Sequence, residues 1–332
     1  MANSNDSTLT KVDSNQYIKH SDYDSGVSSV AELSESLRDG EEPSKVNFGI
    51  CDSGAESDKE EVEFKRPSVL IPDLKWKKKL SENAQISCIQ AEKTDLIIVY
   101  QTPEKHCVSV VNFDGESRKT LYTGKSLSCV RLKSGNLYIS EDDDSGLMTY
   151  SLKKWKKTGN FSQPWGLTST INDNLIVCDA DAGKVFICSE KKPWHIKKTI
   201  TNKNFKSPWF AYGLKNGGFV ITDRWAHKLF IYDSNGNFQN EFGCWGRFKG
   251  ELRYPAGICE DKDGYILVAD YGNNRIIKID GKGRYIGLLL DKKDNIVQPY
   301  SIAIKDNELY VGQGNGSLKC FTYYHNSDYP DL

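Results

Sequence analysis

The chain has 332 residues, which is enough for one large domain or two domains of ordinary size. Its formal net charge of −1 hides an asymmetry, because residues 1–63 contain 15 Asp/Glu and 5 Lys/Arg, whereas residues 64–332 contain 30 Asp/Glu and 39 Lys/Arg. No apolar run approaches the ~18 residues of a membrane span and the first residues are polar, so we expect neither a secreted nor a membrane-inserted protein.

The nine cysteines form no CxxC pair, so the sequence offers no paired ligands for the zinc of a RING or B-box. Six of them lie in apolar, strand-like runs: Cys88, Cys129, Cys178, Cys188, Cys259 and Cys320. This pattern is typical of buried thiols in a reducing compartment, as opposed to a disulfide framework. We expect a cytoplasmic protein, with the nucleus as the alternative, that has no metal site and no cofactor.

Residues 1–63 are rich in Ser, Asp, Glu and Asn and contain few aromatic residues. Such a segment buries too little apolar surface to offset its conformational entropy, so we predict a disordered acidic arm. The arm contains the pattern DSGxxS twice, at 24–29 and 52–57. Its defining residues are Asp24, Ser25, Gly26 and Ser29 in the first copy and Asp52, Ser53, Gly54 and Ser57 in the second.

The DSGxxS pattern resembles the phosphodegron that the β-transducin-repeat F-box receptor of a ubiquitin ligase recognises. Phosphorylation of both serines would add charge and acceptor oxygens that suit an arginine-lined pocket. The resemblance implies an F-box ubiquitin-ligase receptor as a partner of the phosphorylated arm. The alternative is a chance match in a tract rich in Ser and Asp.

The rest of the chain repeats itself about every 44 residues. Prolines at 164, 208, 255 and 299 each introduce an apolar segment, and their spacings are 44, 47 and 44 residues. A short turn follows each segment, then a second apolar strand at 175–180, 219–224, 265–270 and 308–313, then a third at 184–189, 228–233, 275–280 and 317–322. Two less regular copies at 86–113 and 127–152 bring the number of units to six.

Units of this length with several short strands are the blades of a β-propeller, and a single blade is stable only between neighbours. We therefore predict an all-β chain in which residues 81–325 form a monomeric six-bladed propeller and residues 326–332 form a tail. Residues 64–80 are predicted to be a linker whose segment 74–77 supplies the outer strand of the sixth blade.

The fifth unit resembles a complete NHL repeat: YPAGI at 254–258, DKDGYILVAD at 261–270 and NNRI at 273–276. The fourth unit keeps VITD at 220–223 and has Lys228 where the repeat usually has arginine. The resemblance extends to the propellers of tripartite-motif NHL proteins, although this chain lacks their RING, B-box and coiled coil. It implies a propeller that holds RNA hairpins or substrate proteins, in post-transcriptional control or in ubiquitin transfer.

In a propeller, the links into the innermost strands and the turns between second and third strands lie on one face. On this face we predict a ligand surface, for RNA or an acidic protein segment, made of Trp165, Trp209, Arg224, Trp225, His227, Arg247, Lys249, Arg253, Tyr271, Asn273, Arg275 and Tyr300. Basic groups between aromatic rings suit phosphates and unstacked bases, and equally suit an acidic peptide.

Some of these residues have a structural alternative. Trp165 and Trp209 can pack between blades, and Arg275 can hold neighbouring loops by hydrogen bonds. Arg224, Trp225, Arg247 and Lys249 are the stronger candidates, because they depart from the repeat pattern. Acidic residues at 141–144, 179 and 181 would make the opposite side of this face negative.

Catalysis is not predicted, because only two of the five histidines, His106 and His227, lie within blades, and two are too few for a three-histidine zinc site. No GxSxG, HExxH or glycine-rich phosphate loop is present. Three hypotheses follow: a binding module of the NHL type, a protein scaffold whose arm is regulated by phosphorylation, and a metal-dependent propeller enzyme.

Overall fold

The computed structural model describes residues 72–81, 83–141, 146–151, 154–190, 194–325 and 327, and these residues form 24 β-strands. The first strand is β1 (Asp73–Lys79). Blade 1 consists of β2 (Gln85–Ala91), β3 (Leu96–Gln101), β4 (His106–Val111) and β5 (Ser117–Gly124). Blade 2 consists of β6 (Ser126–Arg131), β7 (Leu137–Glu141), β8 (Gly146–Ser151) and β9 (Lys154–Asn160).

The next three blades have the same order. Blade 3 consists of β10 (Pro164–Ser169), β11 (Leu175–Asp179), β12 (Lys184–Ser189) and β13 (His195–Ile200). Blade 4 consists of β14 (Pro208–Gly213), β15 (Phe219–Asp223), β16 (Lys228–Tyr232) and β17 (Phe238–Phe242). Blade 5 consists of β18 (Pro255–Glu260), β19 (Ile266–Asp270), β20 (Arg275–Ile279) and β21 (Tyr285–Leu290). Together with the sixth blade, which is described next, these sheets confirm the predicted all-β, six-bladed propeller.

Blade 6 is built from both ends of the described chain. Its first three strands are β22 (Pro299–Lys305), β23 (Glu308–Gln313) and β24 (Ser317–Thr322), and its outer strand is β1. β1 pairs antiparallel with β24, and Trp76 lies opposite Cys320. The ring is thus closed by main-chain hydrogen bonds, through the segment that the sequence analysis assigned to this position.

The hydrophobic core lies between blades. Each of six buried clusters draws its residues from two neighbouring sheets; one example joins Ile221 of blade 4 to Val185 of blade 3. The first strands of all six blades also contact one another in a closed ring around the central channel. Because a neighbouring blade covers each face of a sheet, second strands such as β11, β15 and β19 are buried at every residue.

The repeated aspartate at the end of the second strand holds the link into the first strand. Asp179 accepts hydrogen bonds from the backbone N–H groups of Ser162 and Gln163 at 2.7 and 2.9 Å. Asp223 does the same for Lys206 and Ser207, at 2.7 and 2.9 Å. The proline that follows each link begins the first strand, a position that requires no N–H donor. The sequence therefore repeats with the same spacing as these contacts between an aspartate and the link that it holds.

We call the face on which first strands begin and second strands end the upper face, and the opposite one the lower face. Asp179 is 1% exposed and adds no negative charge to the upper face of blade 3, which corrects the expectation for this residue, whereas Asp181 is exposed there. Asp142, Asp143 and Asp144, and the whole of residues 1–71 with both DSGxxS segments, lie outside the described residues.

Seven of the described cysteines are free thiols, and all seven are buried: Cys88, Cys107, Cys129, Cys178, Cys188, Cys259 and Cys320. The strand pattern of the sequence placed six of them correctly. Within the described residues no helix has the length and apolar character needed to cross a membrane.

Candidate functional site

A cluster of aromatic rings fills the upper mouth of the channel. Trp165, Trp209 and Tyr300 are each the second residue of a first strand, and they are 7%, 5% and 2% exposed. The Trp165 and Trp209 rings stack with centroids 3.8 Å apart, and the Trp209 Nε1–H donates to the Tyr300 hydroxyl at 3.0 Å. The expectation that these three rings present a ligand surface needs correction, because they bury one another at the channel axis.

Arg224 lies against this channel-mouth cluster. Its guanidinium carbon is 4.8 Å from the centre of the Trp209 ring, 5.0 Å from Tyr271, 5.6 Å from Tyr300 and 5.9 Å from Tyr254. The side chain is partly exposed, since the turn after β15 carries it over the upper face. Four ring faces around one guanidinium fix its position and favour its charge.

Two tryptophans, Trp225 beside Arg224 and Trp245 in the link between blades 4 and 5, are exposed. Trp225 is 39% exposed and packs edge-on against Tyr254, with ring centroids 5.4 Å apart. Trp245 is 58% exposed, and the Arg253 guanidinium lies 5.9 Å from its ring. Arg224, Trp225, Trp245, Arg253 and Tyr254 thus form one continuous patch, which we call the basic aromatic surface.

Trp245 and Tyr254 were not among the predicted site residues. They lie in the link between blades 4 and 5, where the sequence has no periodicity that predicts which way a side chain points. The available signal was compositional, because Trp245 interrupts a glycine-rich connection. A tryptophan in such a link has no hydrophobic core to enter, so its ring is expected at the surface.

The link also carries Arg247 and Lys249, which are both exposed. The Arg247 guanidinium lies 5.5 Å from the ring of Phe248, and the Lys249 ammonium lies 5.6 Å from the ring of Tyr285 in outer strand β21. Arg247 therefore extends the basic aromatic surface along the link, whereas Lys249 is directed toward the outer edge of blade 5.

Arg275 and Asn273 hold this link in place. Arg275 is 5% exposed and donates to the carbonyl groups of Arg247 and Glu251 at 2.7 and 2.8 Å. The Asn273 amide donates to the carbonyl of Gly246 at 2.9 Å. The structural alternative therefore accounts for Arg275, and Asn273 has the same role: both position the surface without forming it.

His227 is also a structural residue. It is 5% exposed, and its Nδ1 accepts a hydrogen bond from the backbone N–H of Tyr254 at 3.1 Å. Burial, followed by the positive charges of Lys206, Arg253 and Arg224, lowers the pKa of His227 to about 4. The imidazole is therefore neutral near pH 7. It packs against the ring of Tyr254, with centroids 4.8 Å apart.

Among the described residues, one group of three side chains has the spacing of a metal site: Asp261, Asp263 and His325. The Lys278 ammonium lies 3.1 Å from the Asp261 carboxylate, and the Tyr323 hydroxyl donates to it at 2.7 Å. A cation would have to displace this lysine. These contacts therefore favour a structural role for the group, in which Tyr323, just after β24, is held against blade 5.

An NHL-repeat family model matches residues 252–279, which contain β18, β19 and β20. The chain is a six-bladed β-propeller with an NHL repeat in its fifth blade. No curated protein sequence matches the chain.

Solved propellers share the fold at low sequence identity. Virginiamycin B lyase from Staphylococcus aureus has a TM-score of 0.57 and 12% identity, over 75% of this chain and 99% of that one. The WD40 propeller domain of Doa1 has a TM-score of 0.56 and 10% identity, over 77% and 98%. An auxiliary nutrient binding protein from Bacteroides thetaiotaomicron has a TM-score of 0.58 and 14% identity, over 73% and 69%. The activities of these proteins differ, so the shared fold assigns no chemistry to this chain.

Proposed function

We propose that this chain is a non-catalytic binding module that holds single-stranded RNA on the basic aromatic surface, in post-transcriptional regulation. The observation that supports this function is the juxtaposition of exposed tryptophan rings and guanidinium groups: Trp225 beside Arg224, and Trp245 beside Arg253. Stacked bases need flat exposed rings, and phosphates need cations within a few ångströms of them.

The electrostatics of the surface agree with an acidic ligand. Asp223 and Asp270 are fully buried and bound to backbone groups of the links, so neither carboxylate faces the ligand. Arg247 and Arg253 are exposed. The surface therefore has a net positive character that the whole-chain charge of −1 conceals.

An acidic protein segment is the second candidate ligand. The enclosure of Arg224 by four aromatic rings favours it, because tryptophan, tyrosine and arginine are the usual anchors of protein interfaces. In this case the propeller would select substrates for a ubiquitin ligase whose RING is supplied by another chain. The remaining alternative, a metal-dependent enzyme, is tested by metal analysis of the purified protein; stoichiometric zinc or calcium would support it.

Fluorescence anisotropy with a labelled random-sequence single-stranded RNA tests the first candidate. We expect the full chain to bind it with an affinity that falls steeply between 50 and 200 mM salt, in the manner of phosphate contacts. Arg224→Ala with Arg247→Ala should abolish the binding. Trp225→Ala with Trp245→Ala should weaken it by about 1–3 kcal/mol for each base that stacks.

Two controls match these variants. Phe238→Ala removes a ring that is 48% exposed on the outer strand of blade 4, and Lys282→Ala removes a charge from the lower face of blade 5. Both should leave the affinity unchanged. If RNA does not bind but a polyglutamate peptide binds through Arg224, the acidic protein segment is the better candidate. If neither ligand depends on Arg224 or Trp245, the surface is wrongly assigned.

A further inference from the structure

The lower half of the channel contains a cavity of about 220 Å³. All six first strands line it, with residues from the middle and the lower part of each strand. Lining residues in the lower part, such as Gln90, Thr168 and Gly213, are partly exposed, so the cavity borders solvent on this side. The basic aromatic surface lies on the opposite face and does not use this space.

Two thiols from neighbouring blades meet on the cavity wall. Cys88 is the fourth residue of β2, and Cys129 is the fourth residue of β6. The Cys88 thiol donates to the backbone carbonyl oxygen of Cys129, with Sγ and O 3.6 Å apart. The two residues are 6% and 2% exposed, and both belong to the wall of the cavity.

A third side chain gives the two thiols different roles. The Ser128 hydroxyl accepts a hydrogen bond from the backbone N–H of Leu167 at 3.2 Å and donates its proton to the Cys88 Sγ at 3.5 Å. The hydrogen bonds from the Cys129 thiol and from Ser128 hold the pKa of Cys88 below its ordinary value, against the effect of burial. The same thiol–thiol contact, together with burial, raises the pKa of Cys129. Cys88 is therefore the member of the pair that ionises first.

Other buried thiols lack this environment. Burial raises the pKa of Cys188 to about 12, and burial also raises the pKa of Cys178 and Cys259. Since the thiolate is the reactive form of cysteine, these three thiols should be inert while Cys88 is not. Cys259 serves as an internal comparison, because it lines the same cavity.

We propose that Cys88 and Cys129 form an oxidation site, in which a hydroperoxide that enters the channel converts the two thiols into a disulfide between blades 1 and 2. The Cys88 thiolate attacks the distal oxygen of the peroxide, the O–O bond breaks, and the leaving oxygen takes up a proton. This gives a sulfenic acid at Cys88. The Cys129 sulfur then attacks the Cys88 sulfur, the S–O bond breaks, and hydroxide leaves as water with the proton of Cys129. The thiol pair loses two electrons and the peroxide gains them.

Peptide mapping of the full chain tests this site. The reduced protein is treated with increasing hydrogen peroxide, alkylated with N-ethylmaleimide in denaturant, and digested without reductant for mass spectrometry. We expect a cross-linked peptide pair that contains Cys88 and Cys129, while Cys178, Cys188 and Cys259 remain alkylated. In Cys129→Ser, dimedone should trap the sulfenic acid of Cys88. In Cys88→Ser, Cys129 should remain a thiol that N-ethylmaleimide then alkylates. Cys188→Ser is the matched control and should form the same cross-link as the unsubstituted chain.

A second measurement needs no substitution. Iodoacetamide labelling of the native protein at pH 7 should modify Cys88 about tenfold faster than Cys188 or Cys259. The proposal is overturned if peroxide leaves Cys88 unmodified, if Cys88 pairs with a cysteine other than Cys129, or if Cys259 is labelled as fast as Cys88.

Discussion

The Arg275 guanidinium lies 2.7 Å from the Asp270 carboxylate, and it also donates to the backbone carbonyl groups of Arg247, Phe248 and Glu251. One buried ion pair inside blade 5 therefore fixes the course of the link that arrives from blade 4. The arginine and the aspartate of the NHL pattern thus hold the link beside the basic aromatic surface, and their role is structural.

Arg275→Ala should lower the free energy of unfolding by about 3–5 kcal/mol, because it leaves the buried carboxylate of Asp270 without its cation. Urea unfolding followed by circular dichroism measures the loss. Arg284→Ala is the control: its partner is Asp280, the Arg284 side chain is 75% exposed, and we expect a loss below about 1 kcal/mol. Equal losses in the two variants would contradict the role given to Arg275.

Gly257→Ala should destabilise the propeller through the contact between blades 5 and 6. A Cβ at this position would lie 2.8 Å from the Ser301 Cα and 2.9 Å from the Tyr300 carbonyl oxygen, and backbone atoms cannot easily move away. We expect a loss of about 1–3 kcal/mol in the free energy of unfolding. Gly287→Ala, whose Cβ would meet no atom within 4 Å, should not destabilise the fold. A stable Gly257→Ala protein would show that the blades can separate at this point without cost.

Most of the fold could be predicted because the residues that repeat along the sequence are those that build each blade: the buried inner strand and the aspartate that holds the link. The run predicted at 175–180 is β11 (Leu175–Asp179), and the aspartate that ends it holds the link. The fourth strands were not predicted individually. β13, for example, is exposed at four of its six residues, so its sequence lacks an apolar periodicity.

The site was less predictable. The sequence placed Trp165 and Trp209 at the start of first strands, but it could not show that such positions converge at the channel axis and bury each other. Departure from the repeat was the better guide, since it selected Trp225, which is exposed, and separated it from Arg275, which is buried. Trp245 was missed because an irregular link gives no pattern from which its exposure follows.

The acidic arm allows a test that is independent of the propeller. If the DSGxxS segments act as a phosphodegron, replacement of Ser25, Ser29, Ser53 and Ser57 by Ala should lengthen the half-life of the protein in cells, because the receptor requires the added phosphate charge. A translation-block chase measures the half-life. Ser34→Ala with Ser36→Ala is the control within the same arm. An unchanged half-life, or an equal change in the control, would contradict the degron hypothesis.

His227 should make the stability of the propeller sensitive to acid. Burial lowers its pKa from 6.5 to about 4, so the folded state favours the neutral imidazole, and the unfolded chain binds more protons between these pH values. The stability contributed by this difference is complete above pH 6.5 and is lost as the pH falls toward 4, with a total on the order of 3 kcal/mol.

His227→Asn removes this titration, and asparagine tolerates the positive φ of 56° at this position. The free energy of urea unfolding should therefore fall less between pH 7 and pH 4.5 in His227→Asn than in the unsubstituted chain. His195→Asn, which replaces an exposed histidine of β13, should keep the original pH dependence. A pH dependence that is the same in all three proteins would mean that His227 becomes protonated without opposing the fold, and that the contact between its Nδ1 and Tyr254 is not required.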